Sequence, residues 1–231
     1  MSEKIQLHDF VEIEYTGKLT DGTVFDTTNE KVAKEHHLHS PKQKYQPALV
    51  CVGERQLLAG LDAQLVDKEL EKEYTVTLPP EKAFGKRDIK QVKIIPMNNF
   101  QQHNLQPRPG LQVDVDGEMG VVSRISGGRV IVNFNHPLAG KEVTYSYKVL
   151  RKVTDQKEKV SAFLSPLLRL PREALKIEVK DNAAMVSIPG ELPTQVSTIL
   201  AQKIVQLTGL KDILFTKEET SKKEAKEHQH H

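Results

Sequence analysis

The sequence predicts an α+β protein, and three observations carry that prediction. Val11 to Thr27 alternates as a strand, turns, and resumes as a second short strand. About fifty residues between Gly85 and Asn135 carry strands and turns of their own. Beyond Val153 the pattern reads strand, strand, helix, strand.

The elements follow in order. In VEIEYTGKLTDGTVFDT, Val11, Ile13 and Tyr15 fall on one strand face and Glu12 and Glu14 on the other, with Thr20-Asp21-Gly22 as the hairpin turn. Phe25 and Asp26 follow directly. Next, ALVCVGERQLLAGLDAQL reads as a strand ended by Gly53, then a helix with Leu57, Leu58, Leu61 and Leu65 on one stripe. Tyr74 to Leu78 alternates as a strand and runs through Pro79-Pro80 into Ala83-Phe84-Gly85. In the long stretch that follows, Val92 to Ile95, Gln112 to Val115, Gly120 to Ile125 and Arg129 to Phe134 read as strands. Pro107-Arg108-Pro109-Gly110, Asp116-Gly117 and Gly127-Gly128 separate them, which describes a small β-rich lobe. A loop, Asn135 to Lys141, leads to the strand Val143 to Val149. Asp155 to Lys159 reads as a polar boundary. Leu175 to Val179 and Ala184 to Ile188 are two strands. Pro193 opens a helix with Val196, Ile199, Leu200, Ile204 and Leu207 on one face, Gly209 closes it, and Asp212 to Thr216 is the last strand.

Composition narrows the function. With 38% hydrophobic and 28% charged residues the chain is of the soluble globular class, and no apolar run approaches the roughly 20 residues a membrane helix requires. Met1 to Phe10 lacks a secretory pattern, so a cytoplasmic protein without membrane association is expected. A net charge of +2 gives no field that would draw nucleic acid. The single cysteine, Cys51, sits in the strand LVCV and reads as a small buried hydrophobe rather than a nucleophile.

Five segments in the same order resemble an FKBP-type peptidyl-prolyl isomerase: the Tyr15 and Phe25-Asp26 hairpin, the Gly53 to Leu65 strand and helix, Ala83-Phe84-Gly85, the Asn135 loop, and the strand carrying Tyr145. The resemblance implies an FKBP-like antiparallel sheet wrapped on one short helix. The long stretch after Gly85 resembles the insert-in-flap domain of SlyD-like and archaeal long members, whose marker is similar to Asn135-His136-Pro137-Leu138-Ala139-Gly140. The implied parts are an FKBP domain at 1–86 plus 134–153, an insert at 87–133, a C-terminal α+β domain at 154–216, and a charged, disordered tail at 217–231.

The resemblance also implies a site. Asp26, Tyr15 and Phe25 would be the catalytic set, with Asp26 acting through electrostatics. Leu57, Leu58, Leu61, Phe84, Leu138 and Tyr145 would bind substrate, Leu57 through its backbone N–H. Three positions depart from the family: Leu61 replaces an aromatic floor, Phe84 lacks the tyrosine hydroxyl, and Tyr145 stands where phenylalanine is usual. Plain core packing is the alternative for each pocket side chain, since Tyr15, Phe25 and Leu58 also sit at core-facing positions of their elements, and it is order and spacing across the segments that favour a pocket. A binding module that kept the fold and lost efficient catalysis is the other class, favoured by Leu61 and Phe84, whereas Asp26 and Phe25 favour the enzyme.

In the insert, Ile94, Ile95, Met97, Phe100 and Leu105 form an apolar cluster broken by Asn98-Asn99 and Gln101-Gln102, an adaptable surface for unfolded proline-containing polypeptides. The alternative is the lobe's own core, which suits Ile94 as well as the binding reading does; Met97 and Phe100 suit binding better. No cofactor and no metal site is expected. His36, His37 and His39, and His228, His230 and His231, are close enough to bind a divalent metal, but the favoured reading places the first three in a surface helix or bulge at the pocket rim and the last three in the solvated tail. The C-terminal unit has little core, so it should dock on the FKBP body or pair with a second copy; a homodimer is the expectation.

Overall fold

The computed structural model describes residues 3–217; most of the expected tail, with His228, His230 and His231, lies outside the described residues. Three sheets organise the described residues. The first contains β1 (Phe10–Leu19), β2 (Val24–Thr27), β3 (Ala48–Cys51), β4 (Glu73–Leu78) and, from the far side of the insert, Val143–Lys152. β1 is its centre. Phe10 to Ile13 pair with β3 and Thr16 to Lys18 with β2, so one edge of β1 serves two partners in succession. Its other edge pairs along its length with Val143–Lys152, which in turn pairs with β4.

Two short helices accompany this sheet. α1 (Glu30–Glu35) starts where the Asn29 side chain accepts from the N–H groups of Lys31 and Val32. His36 caps its end and His37 turns away with φ 56°, so the histidine run follows a surface helix. The His39 ring stacks on Tyr45. α2 (Ala59–Asp62) is one turn long and lays Leu61, with Leu65 beyond it, against Val11, Ile13, Val143, Tyr145 and Val149. Leu57 and Leu58 precede the helix rather than lying in it. Gly60 is required here, because a Cβ would meet the Lys82 carbonyl at 2.6 Å.

The insert holds β5 (Val92–Pro96), α3 (Met97–Gln102), β6 (Gln112–Val115), β7 (Glu118–Ser126) and β8 (Arg129–Asn133), in the antiparallel order β5-β8-β7-β6. The strands match expectation; the helix α3 does not. Its role is to carry Phe100 down onto Ile95, Val113, Val122, Val130 and Val132. Phe100 and Ile95 are therefore the lobe's own core rather than its binding surface. Ile94, one residue back in the alternation, is 63% exposed, and Leu105 is exposed too; Met97 is half-buried against the core. The reading that favoured Phe100 over Ile94 as a client contact is thus reversed by the pleat.

The strand Val143–Lys152 is β9, and beyond it come α4 (Gln156–Leu168), β10 (Lys176–Lys180), β11 (Ala183–Ile188), α5 (Thr194–Thr208) and β12 (Asp212–Lys217). β10 and β11 are antiparallel, and α5 crosses over to place β12 parallel to β11. α4 stands where a polar boundary was expected. Asp155 caps it by accepting from Glu158 N–H at 2.9 Å, and only after that polar first turn do Val160, Ala162, Phe163 and Leu164 go inside. α5 buries Ile204 and Leu207 and half-buries Leu200, while Val196 and Ile199 face outward, so the expected apolar face is realised over its second half. The C-terminal core is shared with the first sheet: Phe10, Leu49 and Cys51 pack in one cluster with Val160, Phe163, Leu164, Val186 and Ile204. No helix among the described residues is long and apolar enough to cross a membrane.

Candidate active site

Sheet register brings the site together. Gly17 of β1 lies opposite Asp26 of β2 and opposite Tyr145 of β9, so three strands converge on one short stretch. Four rings then close on each other edge to face. Tyr15 meets Tyr145 at 5.8 Å between centroids, Phe25 meets Tyr145 at 5.7 Å, and Phe25 meets Phe84 at 5.6 Å. The approach depends on a glycine that sequence reading passed over. A Cβ at Gly17 would lie 2.8 Å from Phe25 Cζ and 2.9 Å from Tyr145 Cε1, so only glycine lets both rings lie over β1.

Asp26 is held at the end of β2. Thr28 N–H donates to the Tyr15 carbonyl at 3.1 Å, Tyr15 N–H donates to Thr28 Oγ1 at 3.0 Å, and the Thr16 and Thr27 hydroxyls are 2.9 Å apart. These bonds fold the chain after Asp26 back onto β1. The Tyr15 phenol and the Asp26 carboxylate act on each other's titration across the site. Burial pushes the Asp26 carboxyl above the usual carboxylate range, and the nearby Tyr15 hydroxyl and the Thr27 backbone pull the other way. Tyr15 and Tyr145 are both held protonated well above the ordinary phenol range, by burial first and then by the charge of Asp26. The site is an apolar box with one carboxylate in its wall.

Leu57, Leu58 and Phe84 are half-buried and Leu61 fully buried, all packed in the cluster that contains Tyr15, Phe25 and Tyr145. Leu61, the residue expected at the floor, is 1% exposed. Among the described residues nothing accepts from Leu57 N–H, which leaves that donor free at the edge of the box. Leu138 is half-buried in the loop before β9 and lies outside this cluster. The loop's contact with the box is made by His136. Its ring stacks on Phe84 at 4.6 Å and 4°, and its Nδ1 accepts from Leu138 N–H at 3.1 Å. An aromatic ring shortly before the buried Ala139 was the available signal. Cys51 is buried, and burial pushes its thiol up to about 12, which is the behaviour of a packing residue.

The neck of the insert is tied to the box. Asn135 Oδ1 accepts from Asp88 N–H at 2.8 Å and its Nδ2 donates to the Asp88 carbonyl at 2.9 Å, while Gly140 N–H donates to the Gly85 carbonyl at 2.8 Å. The outgoing and returning segments are stapled beside Phe84.

Comparison with known proteins fits this architecture. The model of the FKBP-type peptidyl-prolyl cis-trans isomerase family matches residues 1–101, and a model described as the FKBP26 IF domain matches residues 93–138. A short-type peptidyl-prolyl cis-trans isomerase of Methanocaldococcus jannaschii is 34% identical over 149 residues, spanning 64% of this chain and 94% of that protein. The FKBP-type 16 kDa peptidyl-prolyl cis-trans isomerase of Escherichia coli K12 is 32% identical over 155 residues, 65% of this chain and 95% of that one. The isomerase SlyD of Aeromonas hydrophila is 34% identical over 141 residues, 60% of this chain and 59% of its own length.

Proposed function

Since the chain belongs to the FKBP-type peptidyl-prolyl cis-trans isomerase family and is an isomerase of X-Pro bonds, we propose that the four-ring box around Asp26 is its prolyl site and that the insert holds unfolded clients beside it. The observation that carries the first half is the closure of Tyr15, Phe25, Phe84 and Tyr145 on a single carboxylate.

Isomerisation faces a barrier of roughly 18 to 20 kcal/mol because resonance gives the C–N bond double-bond character. No nucleophile or general base is needed to cross it. The planar imide carries more separated charge than the twisted form, so a box that strips water from it raises the planar state relative to the twisted one. The prolyl ring fills the space bounded by Tyr15, Phe25, Leu57, Leu58, Phe84 and Tyr145. Leu57 N–H, free of any partner among the described residues, receives a peptide carbonyl. Asp26, in the wall of the box beside Tyr15, supplies an oriented charge without proton transfer. Each tenfold acceleration requires about 1.4 kcal/mol, within reach of desolvation and a few fixed dipoles.

The insert offers a client surface on the outer face of its sheet. Val92, Ile94 and Met119 are exposed there, with Val121 and Ile131 half-buried between them, while the inner face takes Ile95, Val113, Val122, Val130 and Val132. An uncovered apolar face on a small lobe suits unfolded segments. Tied at Asn135 and Gly140, it would raise the local concentration of a client's prolines at the box.

The test is a proline-limited refolding reaction with catalytic amounts of the intact protein beside Asp26→Leu and Phe25→Ala. Acceleration by the wild type and at least a tenfold loss in both variants, each still folded by circular dichroism, is expected; undiminished rates in both would remove the box assignment.

A further inference from the structure

The segment that delivers Leu57 is gripped by the C-terminal domain. Residues 53 to 56 form an irregular turn, with φ 89° at Gly53 and 56° at Arg55, and their polar groups alternate in direction. The N–H groups of Gly53 and Arg55 donate to the two oxygens of the buried Asp62 carboxylate, at 2.9 and 3.0 Å. The side chains of Glu54 and Gln56 reach the other way. Glu54 pairs with Lys203 Nζ of α5 at 2.7 Å, and Gln56 Nε2 donates to the carbonyl of Ala162 in α4 at 2.9 Å. Gln56 Oε1 meanwhile accepts from Cys51 N–H at 2.6 Å.

The sequence of α4 explains why that carbonyl is available. Ala162 is buried, and four residues on stands Pro166, which has no N–H to return to it. A buried carbonyl deprived of its helical donor needs another partner. Gln56 is that partner, so a proline inside the C-terminal helix and a glutamine next to the substrate-binding leucine form one lock.

The geometry points to Gln56 as a positioning residue of the isomerase, through which the C-terminal domain holds Leu57 N–H in place for the peptide carbonyl; this rests on the box assignment above. A donor that grips the peptide equally in planar and twisted states contributes to KM and not to kcat. Loosening the lock therefore raises KM for a proline-containing tetrapeptide and leaves kcat intact. A merely structural role would instead reduce the folded fraction, lowering apparent kcat at unchanged KM.

Gln56→Glu keeps the acceptor for Cys51 N–H and removes the donor to Ala162, and Lys203→Met removes the grip on Glu54 from a residue remote from the box. In the full chain, KM is expected to rise at least fivefold in the first variant and two- to threefold in the second, with kcat within twofold of wild type in both. If Gln56→Glu does not fold, Lys203→Met decides. Asp26→Leu is run beside them. Unchanged KM in the lock variants with an inactive Asp26→Leu overturns the lock alone, while full activity in Asp26→Leu overturns the box and the lock with it.

Discussion

Asp26 shows how the burial of a single carboxyl costs stability. Its carboxyl is raised chiefly by burial, so the folded protein holds that proton more tightly than the unfolded chain does, whose value is near 3.8. The contribution is fully favourable below the unfolded value and is lost as pH rises through the folded one. Ionised Asp26 therefore costs stability at neutral pH. The Tm of Asp26→Asn relative to wild type should shift in the variant's favour between about pH 3 and about pH 7, measured by thermal melts across that range; a constant difference would contradict it. Tyr15, Phe25, Phe84, Tyr145 and Leu61 were legible in the sequence because each sits in a short motif of fixed order. Gly17, His136 and Gln56 were not, because each matters for what it meets across the fold: two rings, Phe84, and a carbonyl 106 positions away.

At the scale of elements, the pleat of the insert sheet decides which apolar residues are core and which are surface. Ile94 pairs with Ile131 on the outer face and Ile95 with Val130 on the inner. Replacing Ile94 and Met119 by serine should leave isomerisation of a tetrapeptide within twofold of wild type and lower the rate on a proline-limited protein substrate about tenfold, the loss appearing in KM. Equal loss on both substrates would contradict a client-binding face. α3 was hidden because a helix of six residues with Asn98 and Asn99 inside it carries almost no periodic signal. α4 was hidden by its charged first turn, although Asp155 followed by Glu158 is a recognisable start. The strands of all three sheets were readable because a period of two is short enough to register within five residues.

For the whole molecule, one apolar cluster spans two parts of the chain that the sequence separates. Phe10, Leu49 and Cys51 belong to the first sheet, and Val160, Phe163 and Leu164 to α4. Arg151 strengthens the join by pairing with Glu12 and, through two nitrogens at 3.0 Å, with Glu158, although such exposed pairs contribute little beside the buried cluster. Phe163→Ala should cost about 3 to 5 kcal/mol. It should lower a single unfolding transition that includes both the first sheet and the C-terminal domain. Calorimetry resolving two transitions, with only one displaced, would show that the two parts fold separately.

The sequence by itself determined the strands, their order, the long insertion after Gly85 and the residue types of the box, because these are properties of neighbours along the chain: alternation, turn chemistry and motif spacing. The tertiary structure alone decided that Phe100 goes inside and Ile94 outside, that Gly17 admits two rings, and that α4 rests on the first sheet with its Ala162 carbonyl open to Gln56. Those outcomes depend on register and on packing between segments distant in the chain, where one residue's shift exchanges faces and a missing N–H on one element is answered by a side chain on another.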